Sequence, residues 1–198
     1  MLRKILKIIL ITLASAIALV MLYGLYQYPK AKGLQHLIAK RVVQAPHNEV
    51  WAIVSDVGNY EEVTGPGIHR VEVLSGSELG MIRECADPQG NSWEEVCTVW
   101  EPGKRFKFEV NTQREDYGYP FKSLSGDWKV IALGPTSSRI EMDFAFEFEN
   151  PFISGFFLPL AMKEAQEDTE YILDNWQRMA EEGLQSDELK VKSEMNKN

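Results

Sequence analysis

The residues from Pro151 to Gly183 fit little other than one long amphipathic helix, and that helix dictates what the rest of the chain must supply. Leu158, Met162, Ala165, Thr169, Ile172, Trp176 and Met179 recur at alternating spacings of four and three, which keeps them on one face. Lys163, Glu164, Glu167, Asp168, Glu170, Asp174 and Glu181 fall elsewhere on its surface. Pro159 suits a first turn, where a missing N–H costs nothing, and Gly183 suits the position just past the end. A helix this one-sided needs an apolar partner surface.

The preceding chain supplies one as strands. Leu34 to Gln44 reads as a first strand, Ala45 to Val54 as a short helix, and Asp56 to Tyr60 as its break. A second short turn through Glu61 and Glu62 ends by Gly65-Pro66-Gly67. From there the period changes to two. Strands are expected over Ile68–Leu74, Gly80–Ala86, Asn91–Trp100, Arg105–Asn111, Lys122–Leu133 and Arg139–Glu149, separated by Gly/Pro-bearing turns. Ile140, Met142, Phe144, Phe146 and Phe148 share one face of the last strand, with Arg139, Glu141, Asp143 and Glu147 on the other.

Pairing Trp100 with Arg105 would place Phe106, Phe108 and Val110 beside Val99, Cys97 and Glu95, with Trp93 on the same face. Carrying that register across a four-residue turn at Asp87–Gly90 adds Ile82 and Glu84. A turn at Gly134–Thr136 sets Trp128 and Val130 beside Met142 and Ile140. Cys97 then falls opposite Gly80, about 17 Å along the strand from Cys85 and on the other face, beyond disulfide reach. Two free thiols are expected.

Ile8 to Tyr26 is a run of 19 residues without a charge. As a helix it would be about 28 Å long, the thickness of a bilayer's hydrocarbon core. Ala14-Ser15-Ala16 resembles a signal-peptidase site but lies inside the apolar run, so an uncleaved anchor is the expectation. Arg3, Lys4 and Lys7 precede the run, and Lys30, Lys32, Lys40 and Arg41 follow it. The short basic tail leans towards an extracytoplasmic domain. The organisation expected is an anchor and linker over 1–33, a domain over 34–183 and a polar tail over 184–198.

Five of the 21 Lys and Arg residues lie before position 34, and none of the 29 Asp and Glu do. The rest therefore carries 16 basic against 29 acidic side chains, a formal charge of −13. Such a surface repels nucleic acid and anionic headgroups. His36, His47 and His69 are too dispersed for a metal site, and no phosphate loop or nucleophile elbow is present, so neither metal nor cofactor is expected.

The stretch VVQAPHNEVWAIVSDVGNYEEVTGPGIHRVEVLSG resembles the opening of the START-like superfamily. GNSWEEVCTVWEPGKRFKF and SRIEMDFAFEFENP resemble later strands of its polyketide cyclase/dehydrase branch. The resemblance implies an α+β helix-grip fold: a curved antiparallel sheet of six to seven strands around the long C-terminal helix, here with an N-terminal transmembrane helix added. It also implies an apolar cavity between sheet and helix that takes a lipid, isoprenoid or other hydrophobic small molecule.

Trp93, Glu95, Cys97, Phe106, Phe108, Trp128, Met142, Phe144, Phe146, Phe156 and Met162 are the candidate ligand contacts; the alternative for the aromatics is that they fill the core. Glu84 and Glu95 are the only candidates for acid–base chemistry, provided that they face inward. Phe152 to Met162 contains almost no polar side chain, and either buries as the helix start or forms an exposed apolar flap at the cavity mouth. The leading expectation is membrane-anchored ligand binding, ahead of a cyclase- or hydrolase-like enzyme and of a non-catalytic interaction module.

Overall fold

The computed structural model describes residues 2–64 and 67–195; the side chains of residues 2, 59, 61, 62 and 184–195 lie outside that description. The Gly65-Pro66 part of the expected turn therefore falls outside it too. The chain runs α1 (Leu2–Ala31), β1 (Gln35–Val43), α2 (His47–Val54), a 3-10 turn (Val57–Glu62), β2 (Arg70–Ser75), β3 (Ile82–Ala86), β4 (Ser92–Glu101), β5 (Arg105–Val110), β6 (Phe121–Gly134), β7 (Ser137–Phe148) and α3 (Pro151–Met195). The strands form one curved antiparallel sheet in the order β1-β7-β6-β5-β4-β3-β2. Helix α3 crosses its inner face, which is the helix-grip α+β fold.

The core forms where α3 meets the middle of the sheet. Ile172, Leu173, Trp176 and Ala180 pack with Phe106, Phe108, Trp128, Ile140 and Met142 in one buried cluster. Tyr60, from the 3-10 turn, wedges its ring between Trp176 at 5.5 Å and Trp128 at 6.5 Å, and its hydroxyl donates to the Val54 carbonyl at 2.7 Å. At α1's end of α3, Ala31, Phe146, Phe148 and Leu158 form a separate cluster.

Helix α3 begins at Pro151, as expected. Asn150 caps it, its side chain accepting from the Ile153 N–H at 3.1 Å, and Pro151 occupies the first turn. Pro159 sits inside the helix, so one internal N–H is missing there. Nor does the helix stop at Gly183; it runs to Met195 through a stretch of Glu, Leu and Lys, all good helix formers.

Strand register departs from expectation at three turns. Glu101 pairs with Arg105 and Trp100 with Phe106, one residue tighter than expected, but a bulge between Cys97 and Val99 restores the phase. Cys97 then pairs with Phe108 and Glu95 with Val110, so both face inward as expected, with Trp100 instead of Val99 beside Phe106. At the β3–β4 turn the error persists. Ala86 pairs with Ser92, leaving the five residues Asp87–Asn91 in the loop, and Arg83 stands opposite Glu95. Arg83 and Cys85 therefore face inward, while Ile82 and Glu84 do not. Cys85 and Cys97 share the inner face, and both are buried and free. The β6–β7 turn is also one residue tighter than expected, with Gly134 paired to Ser137, but a bulge between Ala132 and Gly134 restores the phase, so Trp128 pairs with Met142 and Val130 with Ile140 as expected.

The apolar N-terminal segment does not end at a flexible connector. Helix α1 includes Pro29 and continues to Ala31, about 45 Å in all, and only Lys32 to Leu34 separate it from β1. Its span from Arg3 to Ala31 is long and apolar enough to cross a membrane, with an 18-residue window of mean hydropathy 2.6. Its last two turns lie against the start of α3. Gly24 faces Phe152 and Phe156, Gly155 faces Gln27, and Tyr23 meets Phe156 with ring centroids 5.7 Å apart.

Candidate functional site: a cavity between sheet and helix

Where α3 lifts away from the sheet, a cavity of about 310 Å³ remains. Its sheet side is Leu37, Leu124, Phe144, Phe146 and Phe148, inward-facing by strand alternation, with Phe121 brought to the same side by a register shift between it and Ser123. Its helix side is Leu158, Ala161, Met162, Ala165, Asp168, Thr169 and Ile172. The loops before β2 and β6 contribute Thr64, Gly67, Ile68, Tyr117 and Tyr119, and Trp93 closes the β4 side. Small side chains at 161 and 165 make the space: both alanines are exposed although they point towards the sheet.

The walls are held by a few polar contacts. Trp93 donates its indole N–H to Glu95 Oε1 at 2.7 Å. The other carboxylate oxygen of Glu95 takes Arg83 Nη2 at 2.6 Å and Nε at 2.8 Å. The Arg83 guanidinium lies 4.1 Å from the Phe108 ring centre and 4.8 Å from that of Tyr60. Burial opposes its charge, but Glu95 holds it above the ordinary arginine range. Tyr119 stands edge-on to Trp93 and donates to Asp87 Oδ2 at 2.6 Å. That bond and those from Asn91 hold the Asp87 carboxyl down at about 2, while burial and Asp87 push the Tyr119 phenol up.

Of the residues that the sequence singles out, Trp93, Phe144, Phe146 and Met162 line the cavity. Cys97, Phe106, Phe108, Trp128 and Met142 do not; they are buried in the core beside it, where bulky side chains leave no space. Glu95 is buried behind Trp93 and reaches the cavity only through that indole. Phe156 packs on Tyr23 and Phe152 instead. Glu84 lies on the outer face, bonded to Arg70 at 2.7 Å and to Arg114 at 3.3 Å, so it is no cavity acid. Neither thiol is poised to react: burial pushes both up, Cys85 with the added opposition of Glu95.

Tyr117, Tyr119 and Phe121 are cavity residues that periodicity cannot find, because the segment before β6 is irregular. Leu158, Ala165, Thr169 and Ile172 stand on the helical stripe already, but spacing does not distinguish a residue that touches the sheet from one that faces a gap. A second, larger hollow of about 510 Å³ lies on the outer face of the sheet. Its charged side chains are tied to one another, Arg105 to Asp127 at 2.8 Å and His36 to Asp143 at 2.8 Å. No cluster of metal-ligating side chains occurs among the described residues.

A family model described as polyketide cyclase / dehydrase and lipid transport matches residues 35–181. No curated protein matches the sequence. Among solved structures, the Zhui aromatase/cyclase from Streptomyces sp. R1128 is similar at 16% identity, covering 74% of this chain and 96% of that one with a TM-score of 0.61. A START superfamily protein from Mycobacterium smegmatis is 19% identical over 76% of this chain and 99% of its own, TM-score 0.56. Truncated norcoclaurine synthase from Thalictrum flavum is 12% identical over 75% and 94%, TM-score 0.59. At such identities these likenesses carry the fold alone. Helix α1 lies outside the matched region.

Proposed function

The chain belongs to the polyketide cyclase / dehydrase and lipid transport family, and from that premise we propose that it binds a hydrophobic small molecule while anchored to a membrane by α1. The observation that carries the reading is the cavity. At about 310 Å³ with an apolar lining, it meets the lower end of the roughly 300–1,000 Å³ typical of small-molecule sites. A module with its interior filled by its own side chains would have no such space.

Two features support presentation or uptake at a bilayer. Ala31, in the last turn of α1, packs against Phe146, Phe148 and Leu158, three residues that also line the cavity. On the first turns of α3, Ile153, Phe157 and Leu160 are exposed beside α1. The expected apolar stretch from Phe152 to Met162 thus divides: Phe152 and Phe156 pack on α1, Leu158 is buried on the cavity wall, and the other three face outward. Acid–base catalysis has no comparable support, because Glu84 and Glu95 are both committed to arginines.

The test is native mass spectrometry of the full chain released from detergent. Expected is a retained adduct that Ala165→Trp abolishes by filling the cavity, with folding unchanged. Failure of the delipidated chain to take up any component of a host-membrane lipid extract would overturn the proposal.

A further inference from the structure

The cavity has one charged side chain without a partner among the described residues. Asp168 lines it from α3, with Oδ2 only 3.1 Å from where a β-carbon on Gly67 would stand. Nearby cations are engaged elsewhere. Lys163 pairs with Glu167 at 3.4 Å, Arg41 with Glu170 and Asp174, and Arg83 with Glu95. No hydrogen bond or ion pair to Asp168 occurs among the described residues, and the described lining contains no Lys, Arg or His. A half-buried carboxylate without a partner costs free energy that surface carboxylates do not incur. Burial, and then Glu164 and Glu167 on the same helix, raise its carboxyl above the ordinary range.

Resting on the cavity reading, we infer that the ligand's apolar body carries a polar end that donates to Asp168, a protonated amine or, less tightly, a hydroxyl, and that carboxylates are rejected. An ammonium in that position would provide the partner that the fold withholds. A fatty acid would set a second anion beside Asp168, with no base in the lining to accept it. The sign of the whole domain acts in the same direction, at a formal −13 from Leu34 onward. The two tyrosines add to the polarity without changing its sign. The Tyr119 hydroxyl is spent on Asp87, and the buried Tyr117 hydroxyl lacks a partner among the described residues.

The discriminating experiment offers decylamine, 1-decanol and decanoate separately, at equal concentration and neutral pH, to the full chain in detergent, with occupancy read by native mass spectrometry. Expected is the order amine, alcohol, acid, with amine and acid about tenfold or more apart, a ratio equivalent to one modest charge interaction. Asp168→Asn should bring the three within about threefold of one another, and Ala165→Trp should abolish all three adducts. Decanoate binding as well as decylamine, or an order unchanged in Asp168→Asn, would overturn the inference while leaving the cavity reading intact, whereas adducts that survive Ala165→Trp would overturn both. No adduct with any probe would overturn both.

Discussion

Glu95 sits where stability and the candidate site share one side chain. Its carboxylate satisfies a fully buried arginine on one side and fixes the indole that walls the cavity on the other. Removing it leaves Arg83 charged in the core with no carboxylate opposite, only the Val57 carbonyl at 3.4 Å. Glu95→Ala should therefore cost about 3–5 kcal/mol of unfolding free energy, measured by urea titration with tryptophan fluorescence, whereas a paired Arg83→Met/Glu95→Leu replacement should recover most of the loss. Asp168 is the opposite case, a carboxylate that the fold disfavours. Because its folded-state carboxyl lies above the unfolded value of about 3.9, the folded chain binds the extra proton between those two values. Stability then falls as pH rises through that interval, and the cost persists in full above it. Asp168→Asn should accordingly raise the melting temperature at pH 7 and leave it unchanged near pH 3; an equal shift at both would locate the effect in packing rather than charge.

At the level of elements, the sheet, its strand count and the inward set on β7 and the middle of β6 are legible in the sequence, because alternation from Ser123 to Ala132 is uninterrupted. The β4–β5 register is legible only by compensation, since a tighter turn and a bulge at Thr98 offset one another. No such offset exists at Asp87–Asn91, which is why Glu84 reads as inward and stands outside while Arg83, a charged residue, is buried. Alternation favours apolar residues inside, and a buried ion pair defeats it. The α1–α3 contact was hidden for a different reason. Pro29 and Gly33 read as a connector, but the helix reaches Ala31 because packing on α3 stabilises it past the proline. That packing depends on close approach: a side chain at Gly155 would meet Gln27 Cβ at 3.2 Å and its backbone at 3.4 Å. Gly155→Leu should separate the two helices while the sheet and its core remain folded. Faster tryptic cleavage at Lys30 and Lys32, with the domain beyond them still resistant, is the expected readout.

For the whole molecule, the geometry would make the proposed anchor a positioning device. A flexible tether would let the domain sample orientations over tens of ångströms, whereas a helix continuous to Ala31 and packed on α3 fixes which face lies nearest the end of the span. That face carries Ile153, Phe157 and Leu160, exposed by 57%, 64% and 57%, a solvent-facing patch that water alone would not favour. In the proposed anchored state these three side chains enter the interfacial layer, beside the helix that also supports the cavity wall. A polarity-sensitive dye on Phe157→Cys reports this directly, since both native thiols are buried and free of competition for the label. In liposomes the dye should emit at shorter wavelength than in detergent-free solvent and be quenched by lipids brominated near the headgroup. The same dye at Thr98→Cys, on an exposed position of β4, should remain water-like. Gly155→Leu should shift the Phe157 signal towards water, because loss of the α1–α3 contact releases the domain while leaving the span in place. Water-like emission from Phe157→Cys in the otherwise unmodified chain would mean that the domain stands clear of the bilayer, and that the patch serves another partner.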